Sequence, residues 1–212
     1  KFEDLISMLS KLVSLVITWA LKSDLIDEIS YENKSIEADA VSLFNKYGYY
    51  VLKSAFPIEL VTTAKAVLDK IMWTEIGEGS AYLYGEGERF QRVYNLLNKN
   101  KIFEEFLINK KILQFLDGAF RRDTLHDCFY LSSLQSNTVK SGATDQIWHI
   151  DANIPNPIPD WTLRVQCAIA LDPFTLTNGS TEILPFSHKK LRNPIPGEDD
   201  PNQIDVFQVE CP

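Results

Sequence analysis

The sequence predicts a fold of the α+β class in which helices come first and strands follow. Up to about residue 120 the apolar residues recur at helical spacing, whereas from Asp127 onward short β-rich segments alternate with clusters of Gly, Pro, Asn and Asp. Parallel strands need a crossover the size of a helix, and the sequence between Gln146 and Leu184 contains no such segment. The strands are therefore predicted to form the two antiparallel sheets of a jelly roll, with the helices packed on one sheet.

The first half begins with a capped helix and continues with a longer one. Ser35 can cap a helix that runs through Phe44 and closes at Gly48, because glycine accepts the left-handed conformation found after helices. Pro57 suits the first turn of the second helix, whose apolar residues recur every three or four positions. The other elements predicted here are a strand over Tyr49–Leu52, a polar loop over 77–88, and short helices over Ile102–Phe106 and Ile112–Phe120.

The second half is predicted to contain five short strands. Each is rich in β-branched and aromatic residues and is bounded by turn-forming residues. The predicted strands are Cys128–Leu134, Gln146–Ile150, Leu163–Leu171, Thr181–Leu184 and Ile204–Val209.

The composition is that of an ordinary globular chain. Its 212 residues, of which 45% are hydrophobic, are enough for one domain with a single core. The 21 basic residues against 29 acidic ones give a net charge of -8, which excludes a surface that tracks nucleic-acid phosphates. Cys128, Cys167 and Cys211 are odd in number and form no CxxC pattern, which favours a reducing compartment and predicts a cytoplasmic protein.

The longest apolar run, Leu12 to Leu21, predicts an amphipathic helix within an N-terminal extension of residues 1–34. The run is about half of the ~20 residues that a helix needs to span a bilayer, so no membrane span is expected. Glu3 and Asp4 replace the basic flank of a signal peptide. The run is interpreted as a buried helix or as one through which two copies form a homodimer, with a helix lying on a membrane surface as the alternative.

One short motif carries a chemical mechanism. In the predicted strand around Trp148, His149 and Asp151 are two residues apart and project from the same face. An imidazole and a carboxylate on one face supply two ligands of the two-histidine, one-carboxylate triad of non-haem Fe(II) oxygenases. The same spacing is also common in ordinary strand-to-turn pairs, so the motif alone does not decide between these readings.

The surrounding sequence resembles the phytanoyl-CoA dioxygenase family from about Ser35 to Lys189. The segments that carry the resemblance are Tyr47 to Pro57, Arg92 to Leu97, Tyr130 to Gly142, Gln146 to Asp151, Ala168 to Thr175 and Asn178 to Lys189. The resemblance implies a cupin-like double-stranded β-helix over residues 35–212. It also implies Fe(II), 2-oxoglutarate and O₂ as cofactor and cosubstrates, and hydroxylation of a C–H bond with release of succinate and CO₂.

The resemblance assigns roles to particular residues. His149 and Asp151 match the first two iron ligands of the family, and the retained Asp151 favours oxygenation over halogenation. Thr181 matches the residue whose hydroxyl donates to the 2-oxoglutarate carboxylate in the family. The alternative is that Thr181 is an ordinary threonine of a strand. Gln135 and Asn137 alternate along their strand and share a face, so both are candidates to line the pocket, the alternative being amides at the edge of the sheet.

Four further residues are candidates for substrate binding. Trp148 and Trp161 can wall a cavity that excludes water, although a core position is the commoner fate of a tryptophan. Arg164 interrupts an apolar strand, and either binds an anionic group of the substrate or pairs with an acid at the rim. Arg92 follows the Gly/Glu loop, which in the family lies near the substrate entrance.

In the family, a later histidine is the third iron ligand, and an arginine after it binds 2-oxoglutarate. This sequence has no match to either residue before Pro212. His188 lies in a Pro-x-Ser-His-Lys segment that the family has in addition to that histidine. The C-terminal strands are therefore expected to be missing from this chain, which is predicted to be an inactive piece of a longer hydroxylase acting on a small molecule. The alternative is a non-catalytic jelly-roll module with an incomplete metal site.

Overall fold

A computed structural model describes residues 40–120, 129–151, 154–199 and 206–211, and the backbone of residues 11–21. The helices are α1 Ala40–Tyr47, α2 Ile58–Glu78, α3 Leu96–Lys99 and α4 Lys110–Phe120, with 3₁₀ turns at Glu86–Glu88, Lys101–Phe106 and Ser187–Lys190. The strands are β1 Lys11–Leu21, β2 Tyr82–Tyr84, β3 Phe90–Val93, β4 Phe129–Lys140, β5 Arg164–Ala170, β6 Glu182–Ile183 and β7 Phe207–Gln208.

The strands form two antiparallel sheets. The larger has the order β2-β3-β4-β1-β5, and the smaller pairs β6 with β7. The prediction of a mixed fold with antiparallel sheets is confirmed. The two short strands that the described residues contribute to the second sheet do not by themselves make a jelly roll, which stays a prediction.

The predicted helix over Leu12–Leu21 is wrong, because this run forms β1 in the middle of the larger sheet. β1 pairs with β4 on one side and with β5 on the other. A continuous apolar run fits a buried helix and a central strand equally by periodicity, and the β-branched Val13, Val16 and Ile17 favour the strand. The homodimer predicted through this run is not tested by the structure and stays a prediction, and the boundary at residue 34 lies outside the described residues.

Other elements differ from the prediction. Tyr49–Leu52 and Gln146–Ile150 do not form strands. The polar loop predicted over 77–88 instead contains the end of α2, the strand β2 and a 3₁₀ turn. Helix α2 begins after Pro57 as predicted, and α1 is followed by Gly48 at φ 88°.

The core lies on the face of the larger sheet that packs against the helices. Leu68 and Met72 of α2 and Phe103 of the 3₁₀ turn are fully buried there. Along β4 burial alternates, with Leu134, Ser136 and Thr138 buried towards the helices. None of the described helices is long and apolar enough to cross a membrane.

The opposite face of this sheet carries polar residues beside small apolar ones such as Ala168 and Ala170. Residues paired directly across antiparallel strands share a face, and the register of β3, β4, β1 and β5 places four polar residues there. This polar face is formed by Arg92, Gln135, Asn137 and Gln166. It is the surface on which the candidate site is built.

Candidate functional site

The centre of the site is a contact between His149 and Asp151. The His149 Nε2 and Asp151 Oδ1 atoms are 3.3 Å apart, and both side chains are about half exposed. His149 Nδ1 lies 2.7 Å from the Ile147 carbonyl oxygen, which accepts the Nδ1 proton. A histidine oriented in this way presents Nε2 as the available ring nitrogen when it is neutral. The predicted strand is absent, but the irregular segment still brings the two side chains together.

The electrostatics of this pair favour its charged form. The hydrogen bond to Asp151 raises the pKa of His149 to about 9, against the opposing effect of partial burial. The same hydrogen bond from His149 lowers the pKa of Asp151, and Arg92 lowers the pKa values of both groups through its charge. The metal-free pair is therefore an imidazolium and a carboxylate near neutral pH.

Gln166 of β5 holds the other oxygen of the Asp151 carboxylate. Its side-chain amide Nε2 donates to Asp151 Oδ2 at 2.5 Å. Sequence analysis did not identify Gln166 as a site residue. The available signal was a polar residue in an apolar strand, between Val165 and Cys167, and that pattern also fits a solvent-facing glutamine.

Arg92 belongs to a second group of contacts on the polar face. Its Nη2 donates to the Tyr84 hydroxyl at 3.2 Å, and that hydroxyl donates to Asn137 Oδ1 at 2.7 Å. The guanidinium lies over the Tyr84 ring at 5.1 Å and over the Tyr94 ring at 6.0 Å from the ring centres. Its buried Nε has no hydrogen-bond partner in the described part of the chain.

A cavity of about 270 Å³ opens beside His149. The rings of Tyr84 and Phe90, stacked with centres 5.1 Å apart, and the side chain of Ile147 give it an apolar part. The remaining lining residues are Gly85, Thr144, Asp145 and Gln146. The cavity is open to solvent and slightly smaller than the about 300–1,000 Å³ of typical small-molecule sites.

The structure brings some of the predicted site residues together and leaves others apart. Gln135 and Asn137 lie on the polar face as predicted, and Arg164 is exposed at the start of β5. The side chain of Trp148 is half-buried, and Trp161 is 44% exposed rather than enclosed.

Two further residues lie in other parts of the structure. Thr181 precedes β6, and its carbonyl accepts a hydrogen bond from the Val209 amide, within the smaller sheet. The His188 Nε2 atom is 3.0 Å from the Asn45 carbonyl oxygen, so His188 contacts the C-terminal part of α1. Among the residues that the structure describes, no group of three or more His, Cys, Asp or Glu side chains could hold a metal ion.

The donor set present fits two ligands of an iron ion. Nitrogen and carboxylate ligands bind a divalent metal at about 2.0–2.2 Å, so two ligand atoms on one ion must lie within about 4.4 Å of each other. His149 Nε2 and Asp151 Oδ1 meet this condition. Imidazole together with carboxylate is the ligand chemistry of non-haem Fe(II) sites.

Comparison with known proteins supports the assignment of the family. Residues 44–209 of the 212 match the model of the phytanoyl-CoA dioxygenase family. The solved structures provide no significant match. The matched region includes the His149–Asp151 pair, the polar face contributed by β3, β4 and β5, and the cavity. Oxygenase activity of the Fe(II)/2-oxoglutarate type is general in this family. The resemblance found in the sequence is confirmed, and the chain belongs to the phytanoyl-CoA dioxygenase family.

Proposed function

We propose that this protein is a Fe(II)- and 2-oxoglutarate-dependent oxygenase that hydroxylates a small organic substrate. The observation that carries the proposal is the contact between His149 Nε2 and Asp151 Oδ1 at 3.3 Å, within a region that matches the family. Fe(II) together with 2-oxoglutarate would supply the activation of O₂ and the oxidation of a C–H bond, with succinate and CO₂ as the other products.

The metal would be held by His149 Nε2 and Asp151 Oδ1. The Ile147 carbonyl keeps the proton of His149 on Nδ1, which leaves Nε2 for the metal once the imidazole is neutral. Because Asp151 holds His149 in its charged form, binding of a metal ion displaces a proton from Nε2. The third ligand is not among the described residues, and the prediction that a later histidine supplies it is kept as part of this proposal.

The polar face would bind the anionic cosubstrate. Arg92 supplies the positive charge, and Asn137 holds the Tyr84 hydroxyl in place beside it. Gln135 is the next polar residue along β4 and would donate or accept a further hydrogen bond. Thr181 keeps its proposed role as a hydroxyl donor by analogy with the family, without support from its present contacts.

The substrate would occupy the cavity beside His149. Tyr84 and Phe90 would give this cavity an apolar side for the substrate, while Ile147 is largely exposed at its edge. Trp148, Trp161 and Arg164 stay candidates for the wall of this site. We also propose that residues 35–212 form the double-stranded β-helix of the family, with β6 and β7 as part of its second sheet.

The experiment that tests this function is metal binding by the intact chain. Mn(II), a redox-stable substitute for Fe(II), is titrated with and without 2-oxoglutarate, and free Mn(II) is followed by electron paramagnetic resonance. We expect binding that His149→Ala and Asp151→Ala abolish and that the matched control His188→Ala preserves. Equal binding by the His149→Ala variant would overturn the proposal.

Turnover is the second readout of the same samples. With Fe(II), ascorbate and 2-oxoglutarate, a succinate signal that disappears in His149→Ala would establish the oxygenase. Metal and 2-oxoglutarate binding without any succinate, in a chain that also carries the proposed later histidine, would instead favour the non-catalytic binding module.

A further inference from the structure

The Asp151 carboxylate is held from two directions. Its Oδ1 faces His149 Nε2, while its Oδ2 accepts the hydrogen bond from Gln166 Nε2. The two oxygens are thus distinguished, one directed towards the proposed metal position and the other bound to a neutral amide. An amide donor of this kind leaves the carboxylate its charge, which the metal requires.

Gln166 is attached to a more rigid part of the fold than Asp151 is. Asp151 belongs to an irregular segment, whereas Gln166 lies in the middle of β5, which pairs with β1. The neighbouring Val165 and the more distant Ile169 are buried in the core and anchor the strand. Because Gln166 is fixed in a paired strand, its hydrogen bond also restricts the position of the Asp151 carboxylate, which lies outside regular secondary structure.

We infer that Gln166 is a positioning residue that restricts Asp151 to binding the metal through Oδ1 alone. A carboxylate that binds through both oxygens takes two coordination positions, and one whose second oxygen is engaged takes a single position. Restricting Asp151 in this way leaves more of the metal's coordination sphere for 2-oxoglutarate and O₂. The inference rests on the proposed function, since it concerns the same metal.

The test uses variants that differ in whether residue 166 can donate a hydrogen bond. Gln166→Leu and Gln166→Met remove the donor without adding charge, while Gln166→Lys keeps an N–H donor but adds a positive charge. Gln208→Leu is the matched control, because Gln208 is a glutamine of the smaller sheet that donates to the Leu176 carbonyl. His149→Ala reports whether the metal binds at the proposed site at all. Circular dichroism confirms that each variant is folded.

Two measurements are made on the intact chain, with the metal alone as the probe. Mn(II) affinity should fall about 10- to 100-fold in Gln166→Leu and Gln166→Met, as is typical when a partner of a metal ligand is removed. It should stay at the unsubstituted value in Gln208→Leu, whereas Gln166→Lys is judged by its spectrum because its added charge repels the metal ion. The visible spectrum of bound Co(II) reports coordination number and should change in the Gln166→Leu and Gln166→Met proteins only. A purely structural role of Gln166 would not alter this spectrum.

The outcomes separate this inference from the proposed function. If His149→Ala binds Mn(II) as well as the unsubstituted chain does, or if the unsubstituted chain does not bind it, the proposed function fails and this inference fails with it. If His149→Ala loses binding while Gln166→Leu and Gln166→Met bind normally with an unchanged Co(II) spectrum, only the role of Gln166 is overturned. The same change of Co(II) spectrum in Gln166→Lys and Gln166→Leu would also overturn it, because the donor would then be irrelevant to the coordination number.

Discussion

Metal binding at His149 should weaken strongly as the pH falls. A metal ion needs the neutral imidazole, so protons and metal compete for Nε2. The hydrogen bond with Asp151 raises the pKa of His149 to about 9, whereas an ordinary histidine has a value of 6.5. The competition should therefore extend well above neutral pH.

The size of the effect follows from the pKa. At pH 7 about one imidazole in 100 is neutral, so the apparent affinity should be about 100-fold below its limit at high pH. Each further unit of acidification should weaken binding about tenfold until Asp151 also takes up protons. A histidine of ordinary pKa would lose less than about twofold at pH 7.

Two assays check this prediction. Mn(II) titrations at constant ionic strength between about pH 6.5 and 8.5 should show affinity rising about tenfold per pH unit. In the metal-free protein, the NMR titration of the His149 ring should have its midpoint near pH 9, as the shift in its pKa requires. An affinity that is flat between pH 7 and pH 8, or a His149 midpoint near 6.5, would refute the reasoning.

The same shift has a consequence for stability. The pKa of His149 is higher in the folded chain than in the unfolded chain, so the folded protein binds the proton more tightly. The contribution of the ion pair to folding is complete below pH 6.5 and disappears as the pH rises through about 9.

Three stability predictions concern residues outside the site and are checked by thermal or denaturant unfolding. Gly48→Ala should cost at least about 1–2 kcal/mol because of its left-handed backbone, and a Cβ there would lie 2.4 Å from His188 Nδ1. His188→Ala should therefore relieve part of the loss, and a strictly additive double variant would contradict the clash. Phe103→Ala should cost about 3–5 kcal/mol because the ring is fully buried, and a loss below about 1 kcal/mol would be inconsistent with that packing. The hydrogen bond from Lys190 lowers the pKa of Asp199 below its ordinary value of 3.8. The ionised carboxylate therefore stabilises the fold fully at pH values above 3.8, and this stabilisation is lost as the pH falls through the lowered pKa. Asp199→Asn should accordingly lower the melting temperature at neutral pH and have a smaller effect in acid, and an effect that does not shrink would contradict this.

Local signals in the sequence predicted the elements that depend on local interactions. The proline at position 57 and the helical spacing after it identified the start of α2, and the glycine at 48 identified the end of α1. The strand β5 was predicted almost to its limits. Capping, backbone conformation and periodicity act within a few residues, which is why these predictions succeeded.

Elements that depend on distant partners were missed. The run that forms β1 was predicted as a helix, because its apolar residues satisfy either structure and only pairing with β4 and β5 decides between them. Strand β2 lies within the stretch 77–88, which was predicted as a loop because glycine and glutamate dominate it, and no strand was predicted for β3.

By itself, the sequence determined the family and the chemistry of the candidate site, because the spacing of His149 and Asp151 and the segments around them are local properties of the chain. Only the tertiary structure decided which other residues surround that pair. Gln166 reaches Asp151 across 15 positions of the chain, and Tyr84 reaches Asn137 across 53. The physical reason is that a contact between residues distant in sequence depends on how the strands pair and how the segments outside them pack on the sheet, and not on the two residues that the bond joins.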